Sequence, residues 1–227
     1  AKQNEIKFIE GWTYAQIRKV LNEHPAIEYK SAGLSDQQIL HHIGASETAA
    51  EGIFFPDTYY FIKGSSDLDI LQRAYKSMQN HLQNYWLERV ESLPLNTPYE
   101  ALILASIIEK ETGAESDRAE IAGVFINRLR KGMKLQTDPT VIYGLGEQFD
   151  GNLRKKDLLA DQEYNTYTRA GLPPTPISLP SLASIRAALN PAETDALYFV
   201  AKGNGESEFS TNLADHNKAV NKYQKQQ

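Results

Sequence analysis

The chain of 227 residues contains no cysteine. Disulfides, thiol catalysis and cysteine-ligated zinc are therefore excluded, and either a reducing or an oxidising compartment is compatible. Positive charge is also scarce. Against 29 Asp and Glu stand 24 Lys and Arg, a formal net charge of -5, so no basic face is available to neutralise nucleic-acid phosphates. No apolar run approaches the roughly 18 residues of a membrane span, and no signal peptide is visible. The chain opens Ala1-Lys2-Gln3 and passes at once into a strand-like I-K-F-I, so it is expected to be an excised part of a longer protein. Internal repeats, low-complexity segments and flexible linkers are absent as well. What remains is ordinary globular composition, 41% hydrophobic and 23% charged, long enough for one large domain or a domain plus a smaller one.

The stretch that organises the rest is T-P-Y-E-A-L-I-L-A-S-I-I-E-K-E-T, residues 97–112. Thr97 can cap a helix, Pro98 suits its first position, and Glu100 completes a capping-box pattern. From Ala101 to Ile108 only Ser106 is polar, which predicts a helix sunk in a core. Two carboxylates end it. At about 100° per residue, Glu111 aligns with Leu104, Ile107 and Ile108, while Glu109 lies further round, near Ala105 and Ser106. An acid delivered on a greasy face is partly desolvated, which favours its protonated form and lets it donate a proton at neutral pH. The bland alternative is a pair of ordinary last-turn glutamates in water.

Before this helix, the spacing predicts a strand over 6–9 and a helix capped by Thr13 and Gln16, with Ile17, Val20 and Leu21 on its apolar face. A short helix follows over 35–42. His41 and His42 are adjacent, so they point about 100° apart and do not chelate one ion together. Residues 51–63, E-G-I-F-F-P-D-T-Y-Y-F-I-K, are expected to form two short strands around a Pro-Asp turn, or alternatively a sugar-stacking aromatic surface. A long helix is predicted over 66–92, with Leu71, Ala74, Met78, Leu82 and Tyr85 on its core face. The best domain seam lies at 93–97.

Beyond the central helix, Gly113 breaks the run and Ser116 is expected to cap a helix that buries Ile121, Val124, Phe125 and Leu129 and stops at Gly132. Leu135 to Thr140 is a polar turn fixed by Pro139, and Val141, Ile142 and Tyr143 return to core-like character. The G-L-G at 144–146 lacks the strand-turn-helix setting of a nucleotide fingerprint. Y-N-T-Y-T-R at 164–169 is polar and aromatic at once, suited either to a plain surface loop or to a hydroxyl-rich ligand. A rigid proline-rich loop, a helix over 181–189, a hairpin turning at Gly203-Asn204-Gly205 and a polar closing helix complete the chain.

The ordered set I-I-E-K-E-T, F-I-N-R-L, L-Q-T-D-P-T-V-I-Y-G, Y-N-T-Y and G-L-P-P resembles the YceG-like family, with E-G-I-F-F-P-D-T-Y upstream and T-N-L-A-D-H-N downstream. The likeness spans almost the whole chain. Characterised members of that family are endolytic murein transglycosylases, usually preceded by a membrane-spanning helix and a small LysM-like module. The resemblance therefore implies a soluble part working in the periplasm or outside the cell membrane, anchored to the inner membrane only through a segment absent from this chain. Its implied partner is the peptidoglycan glycan strand, with cell-wall synthases as further partners and no nucleic acid.

More distantly, K-E-T-G is similar to the helix-ending Glu-Ser signature of lysozyme-like lytic transglycosylases, with threonine in place of serine. That match makes Glu111 the catalytic acid. It implies an α+β fold: a small mixed α/β subdomain with a long connecting helix over 1–94, then a helix-rich, lysozyme-like catalytic domain over 95–227 with a short C-terminal β-hairpin. Gln136, Thr137, Asn165 and Tyr167 are the candidates for holding acetamido and hydroxyl groups, Tyr143 for bounding the groove. Asp138 either joins them or braces its own turn. No metal or cofactor is expected. The implied reaction leaves 1,6-anhydro-N-acetylmuramic acid ends; a hydrolase using Asp138 or Glu109 to activate water, and a non-catalytic glycan-binding scaffold, are the alternatives.

Overall fold

The computed structural model describes residues 2–111 and 114–224. Its centre is helix α4, Pro98–Glu111, in which every residue from Ala101 to Ile108 is buried. Each buried Leu or Ile side chain contributes about 1.5–3 kcal/mol, so tertiary packing on all sides, rather than one amphipathic stripe, holds this helix. Ser106 is as buried as its neighbours, and its polar atoms are all used. Its hydroxyl donates to the Ile103 carbonyl (2.7 Å) and accepts from the Ile177 amide (3.0 Å), while its carbonyl accepts from the Ser178 hydroxyl (3.0 Å).

Around α4 the chain winds in order. Strand β1 (Gln3–Lys7) leads to α1 (Tyr14–Glu23) and α2 (Asp36–His42). Strand β2 (Thr58–Ile62) leads to the long α3 (Asp67–Leu87). After α4 come α5 (Arg118–Lys131), α6 (Asp138–Leu145), α7 (Lys155–Leu159) and α8 (Leu182–Leu189). A closing hairpin, β3 (Tyr198–Ala201) and β4 (Ser207–Ser210), precedes α9 (Leu213–Gln224). The fold is thus α+β, a helical body with two small antiparallel sheets: β1 pairs β2 with Ile6 opposite Tyr59, and β3 pairs β4 with Phe199 opposite Phe209. One core runs from Ile6 to Leu189 and includes side chains on both sides of the expected seam, with Leu95 buried within it.

The capping box expected at Thr13/Gln16 is present, and the structure adds two more, Ser35/Gln38 opening α2 and Ser66/Asp69 opening α3. Other expectations need correction. Only one strand forms in the aromatic block, because residues 51–56 are wholly buried in an irregular turn against the proline-rich loop. There Gly52 has φ +78°, and a Cβ on it would lie 2.2 Å from Pro176, so no other residue fits. Helix α3 stops at Leu87 rather than 92, since residues 87–92 are all exposed and offer no face to pack. A single 3-10 turn at Glu115–Asp117 precedes α5, which therefore starts later than a cap at Ser116 would give. The expected break at Gly113 lies outside the described residues. Finally, the turn at 135–140 leads straight into α6, with Pro139 in its first turn, where a missing amide hydrogen costs nothing.

Candidate active site

Glu111 ends α4 beside a cavity of about 510 Å³. One wall is the turn before α6. Gln136 sits there at φ +49°, a left-handed conformation that costs a non-glycine residue about 1–2 kcal/mol. Its amide donates to the Thr166 carbonyl at 3.1 Å. The turn aims the next residue at the acid: the Thr137 hydroxyl donates to Glu111 Oε1 at 2.6 Å. Thr137 is itself held by the Thr166 hydroxyl, which accepts from its amide at 3.0 Å, and Thr140 Oγ1 lies 2.9 Å from both the Thr137 carbonyl and the Thr166 hydroxyl. Two buried threonines, Thr140 and Thr166, thus fix the Thr137 hydroxyl that faces the carboxyl.

The electrostatics follow from this placement. Burial pushes the Glu111 carboxyl up to about 7; the Thr137 hydrogen bond pulls the other way, and the nearby Asp138 charge adds to the rise. Asp138, exposed at the first position of α6, accepts from the Tyr167 hydroxyl at 2.5 Å. Burial, chiefly, holds that hydroxyl well above the usual tyrosine range, so it remains a donor. The cavity is also lined from elsewhere in the chain by Arg128 of α5, Tyr198 of β3 and His216 of α9. Arg128 donates to the Leu197 and Lys134 carbonyls, both at 2.7 Å, and lies 4.8 Å from the centre of the Tyr198 ring, which stacks on His216 at 4.9 Å.

The family model described as the YceG-like family matches residues 1–222. This chain belongs to the YceG-like family. Among similar proteins are the endolytic murein transglycosylase of Bacillus subtilis, 44% identical over 174 residues (76% of this chain, 48% of that protein), and that of Streptococcus pneumoniae strain D39, 34% identical over 175 residues (75% and 31%). The chain spans about half the length of the first and about a third of the second. The crystal structure of a yceG-like protein from Listeria monocytogenes superposes with a TM-score of 0.78 at 32% identity, covering 96% of this chain and 76% of that one.

In this YceG-like chain, Gln136, Thr137, Asp138 and Tyr167 share the cavity with Glu111. Tyr143 does not. Five residues beyond Asp138, it lies about 140° round α6, and it lines a separate cavity of about 780 Å³ with Tyr14, Glu51 and Tyr164. There its hydroxyl bonds the Glu51 carboxyl, and its ring meets Tyr164 edge-on at 4.9 Å. Glu51 also accepts from the Tyr14 amide (2.6 Å), and burial raises it to about 7. Asn165 lies close to the groove but is fully buried. Its Nδ2 donates to the Ala160 and Leu158 carbonyls (2.7 and 3.1 Å), and its Oδ1 accepts from the Tyr167 amide (2.8 Å). Both ends of the amide are spent on backbone, so Asn165 braces the loop that carries Tyr167.

The two glutamates differ sharply in surroundings. Glu109 Oε1 accepts from the Ser181 amide (2.6 Å) and the Ser184 hydroxyl (3.0 Å), which commits it to the start of α8, where a negative charge is favoured. Glu111 faces the cavity instead. Thr112 and Gly113, the rest of the K-E-T-G match, lie outside the described residues. Among the described residues no three His, Asp or Glu side chains gather as a metal site, and no helix is long and apolar enough to cross a membrane. Residue-level reading missed Glu51, Arg128, Tyr198 and His216. For Arg128 and His216 a signal existed, since F-I-N-R-L and T-N-L-A-D-H-N contain them; nothing local marks Tyr198.

Proposed function

We propose that this chain is the catalytic part of an endolytic lytic transglycosylase that cuts the β-1,4 bond between N-acetylmuramic acid and N-acetylglucosamine in peptidoglycan strands. The observation that carries the reading is Glu111: a desolvated carboxyl, raised to about 7 and open to a groove, beside a glutamate already bound to a helix start. The names of the related murein transglycosylases supply the substrate class. Residues 95–224 carry the chemistry in this reading, with the N-terminal part as their support.

Protonated Glu111 gives its proton to the glycosidic oxygen as the C1–O bond breaks, a contribution of roughly 10²–10⁴ in rate. The 6-hydroxyl oxygen of the same muramyl unit closes on C1, and its proton passes to the Glu111 carboxylate. The acid is regenerated and no water is consumed. Thr137 holds the carboxyl in line through both steps, and its hydrogen bond stabilises the ionised form between them. Gln136 and Tyr167 reach the sugar's polar groups, while Asp138 orients Tyr167. Asn165 and the buried threonines position these groups without touching substrate, and Tyr143 belongs to the support.

Such a substrate places this part of the protein outside the cytoplasmic membrane, with anchoring to that membrane and association with cell-wall synthases as further parts of the proposal. Digests of purified peptidoglycan, analysed by mass spectrometry, test the reaction: anhydromuramyl ends are expected. Reducing muramyl ends would replace the transglycosylase with a hydrolase, and uncut strands that still bind would leave a scaffold.

A further inference from the structure

Arg128 is a charged side chain only 6% exposed, and it lines the Glu111 cavity. Its Nε and Nη1 donate to the Leu197 and Lys134 carbonyls, so the guanidinium ties the start of β3 to the chain entering the Gln136 turn. One face of it lies against the Tyr198 ring. These contacts hold the group in place without neutralising it. Among the described residues Arg128 forms no ion pair. Nη2 donates to nothing there either, yet it is not a buried orphan: it keeps accessible surface, and the open space beside it is the cavity. The guanidinium is near enough to the Tyr167 hydroxyl to interact with it electrostatically, and that hydroxyl is in turn near Glu111. Buried charges are normally paired, and a guanidinium fork matches a carboxyl group.

We propose that Arg128 reads the lactyl arm of muramic acid, its Nη2 donating to the arm's carboxyl oxygen while Glu111 works at C1 of the same sugar. The assignment rests on the glycan reading of the site. N-acetylmuramic acid differs from N-acetylglucosamine only in that arm, an ether-linked lactyl group at C3 that ends in a carboxyl. Hydroxyl and acetamido groups are uncharged and give a buried cation nothing to pair with, so the carboxyl is the group a guanidinium selects. It is a carboxylate on a peptide-free strand and an amide carbonyl where a stem peptide is attached. Both accept a hydrogen bond, the carboxylate more strongly. Among the described residues no other lysine or arginine lines the cavity, and the exposed Asp138 there repels a carboxylate. Preference for a muramyl over a glucosaminyl unit beside the acid therefore falls to Arg128.

The test measures binding without turnover, with Glu111→Gln protein as the parent. Isothermal titration compares peptide-free glycan strands with the same strands after their lactyl carboxylates have been reduced to alcohols. The parent should bind the carboxylate form about tenfold more tightly, the usual effect of one charge-assisted hydrogen bond. Adding Arg128→Gln should bring the two affinities within about twofold of each other, because the variant lacks the charge that tells them apart. A merely structural Arg128 would weaken both strands alike and leave their ratio unchanged, which overturns the contact. A parent that binds both forms equally overturns it too, and that comparison holds even if Arg128→Gln does not fold. An Arg128 effect confined to peptide-bearing strands would move the contact to the stem peptide and overturn the lactyl assignment. A parent that binds no glycan overturns the glycan reading of the groove, and this assignment with it.

Discussion

Replacing Glu111 by glutamine should stabilise the protein, and only where the carboxyl would be ionised. The folded protein raises this acid from 4.5 to about 7, so it binds the proton more tightly than the unfolded chain does. The sign follows by linkage. Stability from this group is fully present below pH 4.5, declines as pH rises, and reaches its low plateau above pH 7. Raising the acid from 4.5 to about 7, at 1.36 kcal/mol per pH unit, makes the ionised carboxylate cost about 3 kcal/mol at pH 8. Glutamine cannot ionise, and its amide oxygen can still accept the Thr137 hydrogen bond. The variant should therefore match the parent near pH 4 and exceed it by about 3 kcal/mol at pH 8, roughly 6–12 °C in Tm for a chain of this size. Guanidinium denaturation of both proteins from pH 4 to 8 measures the difference. Glu51, also raised to about 7, contributes equally to both curves and cancels. A difference that does not change with pH, or one favouring the parent at pH 8, would refute the claim that desolvation dominates at Glu111.

Asp138→Asn removes a charge that raises Glu111, so the alkaline limb of kcat/KM, where the acid loses its proton, should move to lower pH; a pH–rate profile reads it, and an upward shift would contradict the electrostatics. Asn165→Ala strands three backbone groups and should cost about 2–4 kcal/mol with loss of activity, checked by thermal denaturation; an unmoved Tm with reduced turnover would instead make Asn165 a sugar ligand. Gln136→Gly relieves the left-handed backbone, so it should lower turnover while leaving Tm unchanged or up to about 1 kcal/mol higher in stability. Wild-type activity in that variant would remove Gln136 from the site.

Local signals in the sequence were legible, and long-range ones were not. Ser or Thr followed three residues on by Gln or Asp sets a helix start by itself, which is why the cap at Thr13 stands where expected and why α2 and α3 begin directly after Ser35 and Ser66. Helical spacing separated Glu111 from Glu109, because the angle between two residues on one helix depends on nothing else. It could not tell that Glu109 reaches Ser181, some seventy residues later. Helix α6 was hidden because Thr-Asp-Pro opens a turn and a helix equally well, and α7 because five mostly polar residues carry no period. A buried asparagine looks like an exposed one until the carbonyls around it are placed, so Asn165 read as a ligand. The motif T-N-L-A-D-H-N carried His216 without saying what it faces; that it lines the Glu111 cavity shows only once α9 is placed.

The most direct test of the central claim, that Glu111 alone is the acid, assays Glu111→Gln and Glu109→Gln side by side on intact glycan strands. Circular dichroism verifies folding of both. Glu111→Gln should produce no anhydromuramyl ends while staying folded, since its amide has no proton to give. Glu109→Gln should keep most of its activity, because a glutamine oxygen still accepts from the Ser181 amide and the Ser184 hydroxyl; losing the charge at the start of α8 costs about 1 kcal/mol. A dead Glu109→Gln beside a Glu111→Gln protein that still cuts would contradict the account.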